Sequence, residues 1–178
     1  MTTPRLKTLF ATLILIFATA PAISETPQAA DAPTDLDRFI ALAGTWEGTV
    51  IHNDGEPETA TVTYRVTAGG SAVAETLFVG TPHEMLTVFY LDEGKLTLTH
   101  YCMLKNQPQM SVIDHEDSNT IAFSFTDGDN IQDPSQDMHM HEAAYTFVDD
   151  DQLVSTWTMY HNGEPAGTAS LELQRKQE

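Results

Sequence analysis

The segment "DLDRFIALAGTWEG", residues 35–48, decides the fold. Leu36 and Phe39 have the spacing of one helical face, and Gly44 is a typical helix stop. Residues 45–52 then alternate in polarity or are β-branched, as in a strand. The segment therefore predicts a short N-terminal helix that leads directly into the first strand of a sheet.

The rest of the chain carries turn signals at short, regular intervals. Sequences such as "NDGE" at 53–56 and "NGE" at 162–164 separate short runs of alternating or β-branched residues. Ten strands in simple succession favour an all-β, up-and-down antiparallel β-barrel, because closure removes the exposed edges of a sheet. We expect these strands over 45–52, 59–67, 71–79, 84–92, 95–104, 109–114, 119–126, 138–148, 152–161 and 166–175.

The stretch "LAGTWEG" at 42–48 resembles the opening of the calycins, the group of lipocalins and fatty-acid-binding proteins. In that group a short helix leads into a Gly-x-Trp motif on the first strand, which Gly44 and Trp46 match here. Calycins also carry a basic residue near the last strand that packs over the tryptophan. The resemblance implies this structural role for Arg175 in "LQRK".

A wider resemblance covers nearly the whole chain after its first segment. The stretches "VTAGGSAVAETLF", "GTPHEM", "LTHYC", "NQP" and "MHMH" are similar to those of the DUF1579-type family, which consists of lipocalin-like exported bacterial proteins of uncharacterised function. This resemblance implies a lipocalin-like barrel and no settled activity.

The first 24 residues have the pattern of a secretory signal peptide. Arg5 and Lys7 precede the apolar run at 9–20, and the small residues "PAIS" follow at 21–24. We expect a signal peptide over 1–24, a flexible linker over 25–34 and the barrel domain over 35–178. The protein should accordingly be periplasmic or secreted.

Charge and cysteine content limit the possible partners. The formal net charge is −18, and such a surface repels both phosphate backbones and anionic membranes. We therefore expect no nucleic-acid partner and no stable membrane insertion after removal of the signal peptide.

Cys102 is the single cysteine, so the chain can form no internal disulfide. The oligomeric state stays open.

Two strands carry imidazole or thiol side chains at a spacing of two. His100 and Cys102 share the more apolar face of the fifth predicted strand. His139 and His141, in the stretch "QDMHMH" at 136–141, share a face of the eighth. Since strand side chains alternate between faces, we expect all four to point into the barrel.

The same alternation places further side chains. Tyr145 on the eighth strand and Trp157 on the ninth should face the lumen, and His161 ends the ninth strand on that face. Met138 and Met140 should point outward. A soft-metal site built from the methionines is therefore not expected.

Alternate hairpins of an up-and-down barrel lie at the same end, which gathers most of the histidines. The loop at 127–137 also lies at this end and is long enough to cover it. His100 should lie slightly deeper, and His115 should lie at the opposite end. The histidines expected at or near this mouth are His52, His83, His139, His141 and His161.

The leading hypothesis is a small-molecule-binding barrel with a pocket rich in His and Cys at one mouth. Barrels of this size hold small apolar ligands in the lumen, and a few polar groups orient them. The candidate ligand-binding residues are His83, Glu84, His100, Cys102, Asn106, Gln107, His139, His141, Tyr145, Trp157 and His161.

Two alternatives use the same cluster. Imidazole and thiolate ligands suit Zn or Cu, so His100, Cys102, His139 and His141 could form a periplasmic metal site. An enzyme could instead use Cys102 as a nucleophile with a neighbouring histidine as base. The sequence favours small-molecule binding over both alternatives. It has no paired metal-ligand motif, which argues against the metal site, and a lone buried cysteine more often serves packing than catalysis.

Overall fold

The computed structural model describes residues 34–177. The expected signal peptide and all of the expected linker except Thr34 lie outside the described residues. One α-helix, α1 (Asp35–Ala41), precedes ten strands. These are β1 (Gly44–His52), β2 (Glu58–Thr67), β3 (Ala72–Leu77), β4 (Met85–Asp92), β5 (Lys95–Tyr101), β6 (Gln107–Ile113), β7 (Thr120–Asp129), β8 (His139–Phe147), β9 (Gln152–His161) and β10 (Glu164–Arg175).

Each strand pairs antiparallel with the next, and β10 returns to pair with β1. The predicted closed, up-and-down barrel is therefore confirmed. The predicted fifth strand is too long at its end, because the chain turns back at Cys102. The Lys105 N–H donates to the Cys102 carbonyl oxygen at 2.9 Å, and Lys105 adopts a φ of 66°.

Closure requires the backbones of β1 and β10 to approach closely. Gly48 of β1 lies opposite Leu173 of β10. A Cβ at position 48 would collide with the carbonyl oxygen of Glu172. Only glycine therefore fits at this point of the seam between the first and last strands.

Helix α1 covers one end of the barrel. The Thr34 backbone N–H and hydroxyl both donate to the Asp37 carboxylate, at 2.5 and 2.9 Å, and the N–H contact is that of a capping box at the helix start. Phe39 is fully buried and stacks on Phe89, with ring centres 4.1 Å apart. Its edge also packs against Tyr145, with ring centres 5.1 Å apart. Aromatic side chains thus fill the half of the lumen nearest the helix.

Arg175 ties the end of β10 to the helix and to β1. Its guanidinium Nη1 and Nη2 donate to the carbonyl oxygens of Ala43 and Ala41, both at 2.9 Å. Its Cζ lies 4.4 Å from the centre of the Trp46 ring. The Trp46 indole Nε1 in turn donates to the Leu42 carbonyl oxygen at 2.8 Å. This set of contacts satisfies the carbonyl groups at the helix end.

Replacement of Arg175 by Met should lower the free energy of unfolding by roughly 2–3 kcal/mol, because the carbonyl groups lose a charged donor and Trp46 loses its cation. Urea denaturation measures this change. Lys176→Met is the control, since the Lys176 ion pair with Glu47 is exposed and should contribute less than about 1 kcal/mol. Equal losses in the two variants would contradict the role given to Arg175.

Candidate functional site

A cavity of about 200 Å³ occupies the half of the lumen opposite α1. It opens at the mouth formed by the turn after β1 and by the loop after β3, where His52 and Phe78 line it. Most of its lining is apolar. The lining side chains that carry a sulfur atom, an imidazole or an indole are Met85, Met140, Met159, His52, His100 and Trp157.

A β-bulge in β8 decides which side chains of "QDMHMH" reach this cavity. Met140 pairs with Met159 and Glu142 pairs with Thr158, so His141 has no partner on β9. The extra residue interrupts the regular alternation of the strand. Met140 therefore lines the cavity beside Met159, whereas His139 pairs with Tyr160.

The expectation that His139 and His141 face the lumen and that Met140 faces outward is thus wrong. Neither histidine lines the cavity. Met138, by contrast, is 37% exposed, in agreement with its expected outward position.

His139 and His141 instead form a pair at the start of β8. His139 Nε2 lies 3.0 Å from His141 Nδ1, and His139 Nδ1 lies 2.8 Å from the Asp137 carbonyl oxygen. The His141 ring stacks on Tyr160, with ring centres 4.0 Å apart. Burial, and next the neighbouring His139, lower the pKa of His141. The pair therefore anchors the loop before β8 to the barrel.

His100 lines the inner part of the cavity, in addition to His52 at the mouth. It is 1% exposed, and burial lowers its pKa to about 4, so the ring is neutral near pH 7. Its Nδ1 lies 3.0 Å from the Thr87 hydroxyl oxygen, and its Nε2 has no hydrogen-bond partner within residues 34–177. The ring centre lies 4.7 Å from that of Trp157.

A buried carboxyl group lies behind His100. The Tyr64 hydroxyl donates to Glu75 Oε1 at 2.7 Å, and the Tyr145 hydroxyl donates to Oε2 at 3.0 Å. Burial raises the pKa of Glu75, and hydrogen bonds from Tyr64, Thr87 and Tyr145 oppose that rise. Glu75 and Thr87 lie opposite each other on β3 and β4. Glu75, Thr87 and His100 therefore form a polar chain that runs from the core to the cavity.

Trp157 contributes a second polar group without a partner. Its indole Nε1 is buried and forms no hydrogen bond within residues 34–177. Buried polar groups in native proteins are normally paired with protein groups, water or a ligand. Two residues that line the cavity, His100 and Trp157, therefore each carry a buried nitrogen atom that has no partner within residues 34–177.

Three other predicted site residues organise turns around the mouth. Asn106 is buried and its Nδ2 donates to the Met138 carbonyl oxygen at 2.8 Å. Gln107 Oε1 accepts a hydrogen bond from Asn130 at 2.7 Å. Glu84 Oε2 accepts one from the Gly80 N–H at 2.7 Å. These side chains shape the rim, and none of the three lines the cavity.

The remaining predicted residues lie apart from the cavity lining. His83 and His161 are exposed, and Tyr145 is buried in the core around Glu75. Cys102 is half-buried in the turn after β5, and burial raises the pKa of its thiol. A raised thiol pKa is the opposite of what an activated nucleophile needs.

The four candidate metal ligands do not come together. Between residues 34 and 177, no group of three or more His, Cys, Asp or Glu side chains is placed to hold a metal ion. His100 lies in the lumen, whereas His139 and His141 pair with each other outside the cavity. The expected site of His100, Cys102, His139 and His141 is therefore absent from the described part of the chain.

The three methionines and Thr87 are not among the site residues that the sequence patterns predict. A signal for Thr87 does exist, since it shares a strand face with Met85 and Phe89 and is a polar residue in an apolar row. For Met85 and Met159, the alternation of side chains along their strands does predict an inward position. The inward position of Met140 could not be predicted, because nothing in the local sequence indicates the bulge that turns this side chain inward.

Solved structures with a similar fold include two bacterial proteins. A protein of unknown function from the DUF3598 family of Nostoc punctiforme matches 78% of this chain, with a TM-score of 0.52 and 12% identity. This chain spans 49% of that protein's length. Rv2717c from M. tuberculosis matches over 80% of this chain and 97% of its own, with a TM-score of 0.54 and 15% identity. Similarity at this level shows a common barrel fold.

No family model matches the chain, and no curated protein matches it. The resemblance to the DUF1579-type proteins therefore stays a prediction. Within residues 34–177, no helix has the length and apolar character needed to cross a membrane.

The buried, neutral His100 should make folding sensitive to acid. Its pKa is about 4 in the folded protein and about 6.5 in an unfolded chain. The unfolded state therefore binds more protons between these values, and stability falls as the pH falls from 6.5 to 4. At pH 4 this contribution should reach roughly 3 kcal/mol.

Urea unfolding of the wild type and of His100→Gln from pH 7 to pH 4 tests this expectation. The variant should lose less stability than the wild type over this range. His115→Gln, at the opposite end of the barrel, is the control and should follow the wild type. If His100→Gln and the wild type lose stability in parallel, the imidazole is not neutralised by burial.

Proposed function

We propose that this protein is a binding protein that takes one small, mainly apolar molecule into the cavity at the open mouth of its barrel. The observation that carries the proposal is the lumen cavity, whose lining is mainly apolar and includes the side chains of His52, His100 and Trp157. Small-molecule sites typically combine an apolar wall with a few polar groups that orient the ligand.

The size of the cavity limits the ligand. A buried apolar cavity of about 150 Å³ accommodates benzene, and this one has about 200 Å³. A single ring with one small substituent therefore fits. Met85, Met140 and Met159 supply a flexible wall, since thioether side chains adapt to ligands of irregular shape.

We also propose that the protein acts outside the cytoplasm. The signal-peptide pattern at 1–24 and the resemblance to DUF1579-type exported proteins support this location. A strongly acidic surface suits a dissolved carrier or sensor of a neutral molecule. Cell fractionation combined with N-terminal sequencing tests the export.

Filling the cavity should abolish binding. Ala169 lines the cavity, and Ala169→Leu places an isobutyl group in the space that a ligand would occupy. Ser170→Leu is the matched control, because Ser170 lies opposite Thr156 on the outer face of the same sheet. Isothermal titration with toluene should detect binding to the wild type and to Ser170→Leu, and none to Ala169→Leu.

Two results would contradict this proposal. The first is an absence of toluene binding by the folded wild type. The second is unchanged binding by Ala169→Leu, which would place the ligand elsewhere. Thermal unfolding of each variant without toluene shows whether the substitution has left the barrel folded.

A second candidate function is the binding of a soft monovalent cation such as Cu(I). The observation that favours it is that Met85, Met140, Met159 and His100 line the same cavity. Thioether and imidazole groups are ligands that Cu(I) accepts. This ligand set differs from the one that the sequence indicates, because it contains Met140 in place of His139 and His141.

Titration with Ag(I), a stable substitute for Cu(I), tests this second candidate. Met140→Leu should weaken Ag(I) binding at least tenfold, whereas Met138→Leu should leave it unchanged because Met138 is exposed. Quenching of tryptophan fluorescence by the bound ion measures the affinity. Equal effects of the two substitutions, or no binding by the wild type, would exclude the site.

A further inference from the structure

We propose that the cavity selects a flat aromatic ring over a saturated ring of the same size, with Phe78 as the residue that determines this preference. The inference rests on the proposed small-molecule function and specifies the chemical class of the ligand. The backbone conformation of Phe78 and the composition of the cavity lining support it.

Phe78 adopts a left-handed backbone conformation, with a φ of 57°. This conformation costs free energy for a bulky side chain and persists only where the surrounding structure enforces it. Seven non-glycine residues of 34–177 have a positive φ, and Phe78 is the one among them with an aromatic ring. Strained residues of this kind are concentrated at sites that hold ligands.

The left-handed conformation directs the Phe78 ring toward the lumen. Leu77, the last residue of β3, is buried and lines the cavity. In a regular strand the next side chain would point to the outer face, because side chains alternate between faces. Leu77 and Phe78 nevertheless both line the cavity. The strained backbone therefore places at the mouth a ring that a continued strand would direct outward.

Hydrogen bonds hold the backbone of Phe78 in this conformation. Its carbonyl oxygen accepts one hydrogen bond from the Thr81 N–H at 3.1 Å and another from the Thr81 hydroxyl at 2.8 Å. The Val79 N–H donates to the carbonyl oxygen of Thr61 on β2 at 3.0 Å. The ring is therefore directed to the cavity before a ligand arrives.

The groups around Phe78 also suit an aromatic ligand. Aromatic rings attract one another beyond what burial of area provides, because the edge of one ring is positive and the face of another is negative. Thioether sulfur atoms make favourable contacts with the edges of aromatic rings. A ring that fills a cavity of about 200 Å³ can contact several such groups at once. Besides Phe78, the aromatic and thioether side chains in the lining are His52, His100, Trp157, Met85, Met140 and Met159.

A wall that acted through burial alone would show the opposite preference. A saturated ring has more apolar surface than the aromatic ring with the same carbon skeleton, and the gain from burial rises with apolar area. Such a cavity would bind methylcyclohexane at least as tightly as toluene. These two compounds are matched probes, since they share a carbon skeleton and differ in the aromaticity of the ring.

We expect the wild type to bind toluene roughly fivefold more tightly than methylcyclohexane, through its aromatic and sulfur contacts. Nuclear magnetic resonance titration of protein with ¹³C-labelled methionine methyl groups measures both affinities and locates the ligand. The signals of Met140 and Met159 should shift when toluene binds, whereas those of the exposed Met103 and Met138 should not. Shifts confined to Met103 and Met138 would place the ligand outside the cavity and overturn the inference.

Phe78→Leu tests the role of the ring, because leucine keeps an apolar wall and removes the aromatic group. The ratio of toluene affinity to methylcyclohexane affinity should fall to about one or below, while methylcyclohexane still binds. Phe125→Leu is the matched control and should keep the wild-type ratio, because Phe125 is also half-buried and does not line the cavity. An unchanged ratio in Phe78→Leu would overturn the role given to Phe78.

Thermal unfolding shows whether each variant is folded, and the comparison of the two probes on the wild type does not depend on that result. Equal or tighter binding of methylcyclohexane by the wild type would overturn the inference and leave the proposed function standing. Failure of both probes to bind would instead overturn the proposed function and this inference with it.

Discussion

Closure of the sheet between β1 and β10 is the constraint on which the rest of the structure depends. At this seam the two backbones approach so closely that position 48 accepts only glycine. Arg175 reinforces the same seam, since it joins the last strand to the carbonyl groups at the end of α1 and covers Trp46. A closed barrel has an interior, and α1 fills only one end of it. Within residues 34–177 no second helix fills the other end, and the cavity lies there.

The buried polar chain is the second consequence of closure. Glu75, Thr87 and His100 come from three consecutive strands, and they meet because their pairing places them side by side on the inner face. Burial of these groups costs free energy, which hydrogen bonds from Tyr64 and Tyr145 partly offset. The chain ends at His100, which lines the cavity and whose buried Nε2 has no partner within residues 34–177.

Much of the fold could be predicted from the sequence, because turn signals and strand alternation are local properties. The ten strands, their order and the short helix follow from residues that act on their immediate neighbours. The site was harder to predict. His100 and Trp157 were placed in the lumen correctly, since their strands keep a regular alternation up to the mouth. The predicted faces of His139, His141 and Met140 are wrong, because β8 contains one extra residue at the bulge. The alternation of inward and outward side chains before the bulge is therefore out of step with the alternation after it.

The sequence by itself therefore determined the class of the fold, the end of the barrel at which most histidines lie and the acidic character of the surface. The tertiary structure alone decided which of those side chains share a cavity. The physical reason is that alternation is set within one strand, whereas a bulge is set by pairing with the neighbouring strand.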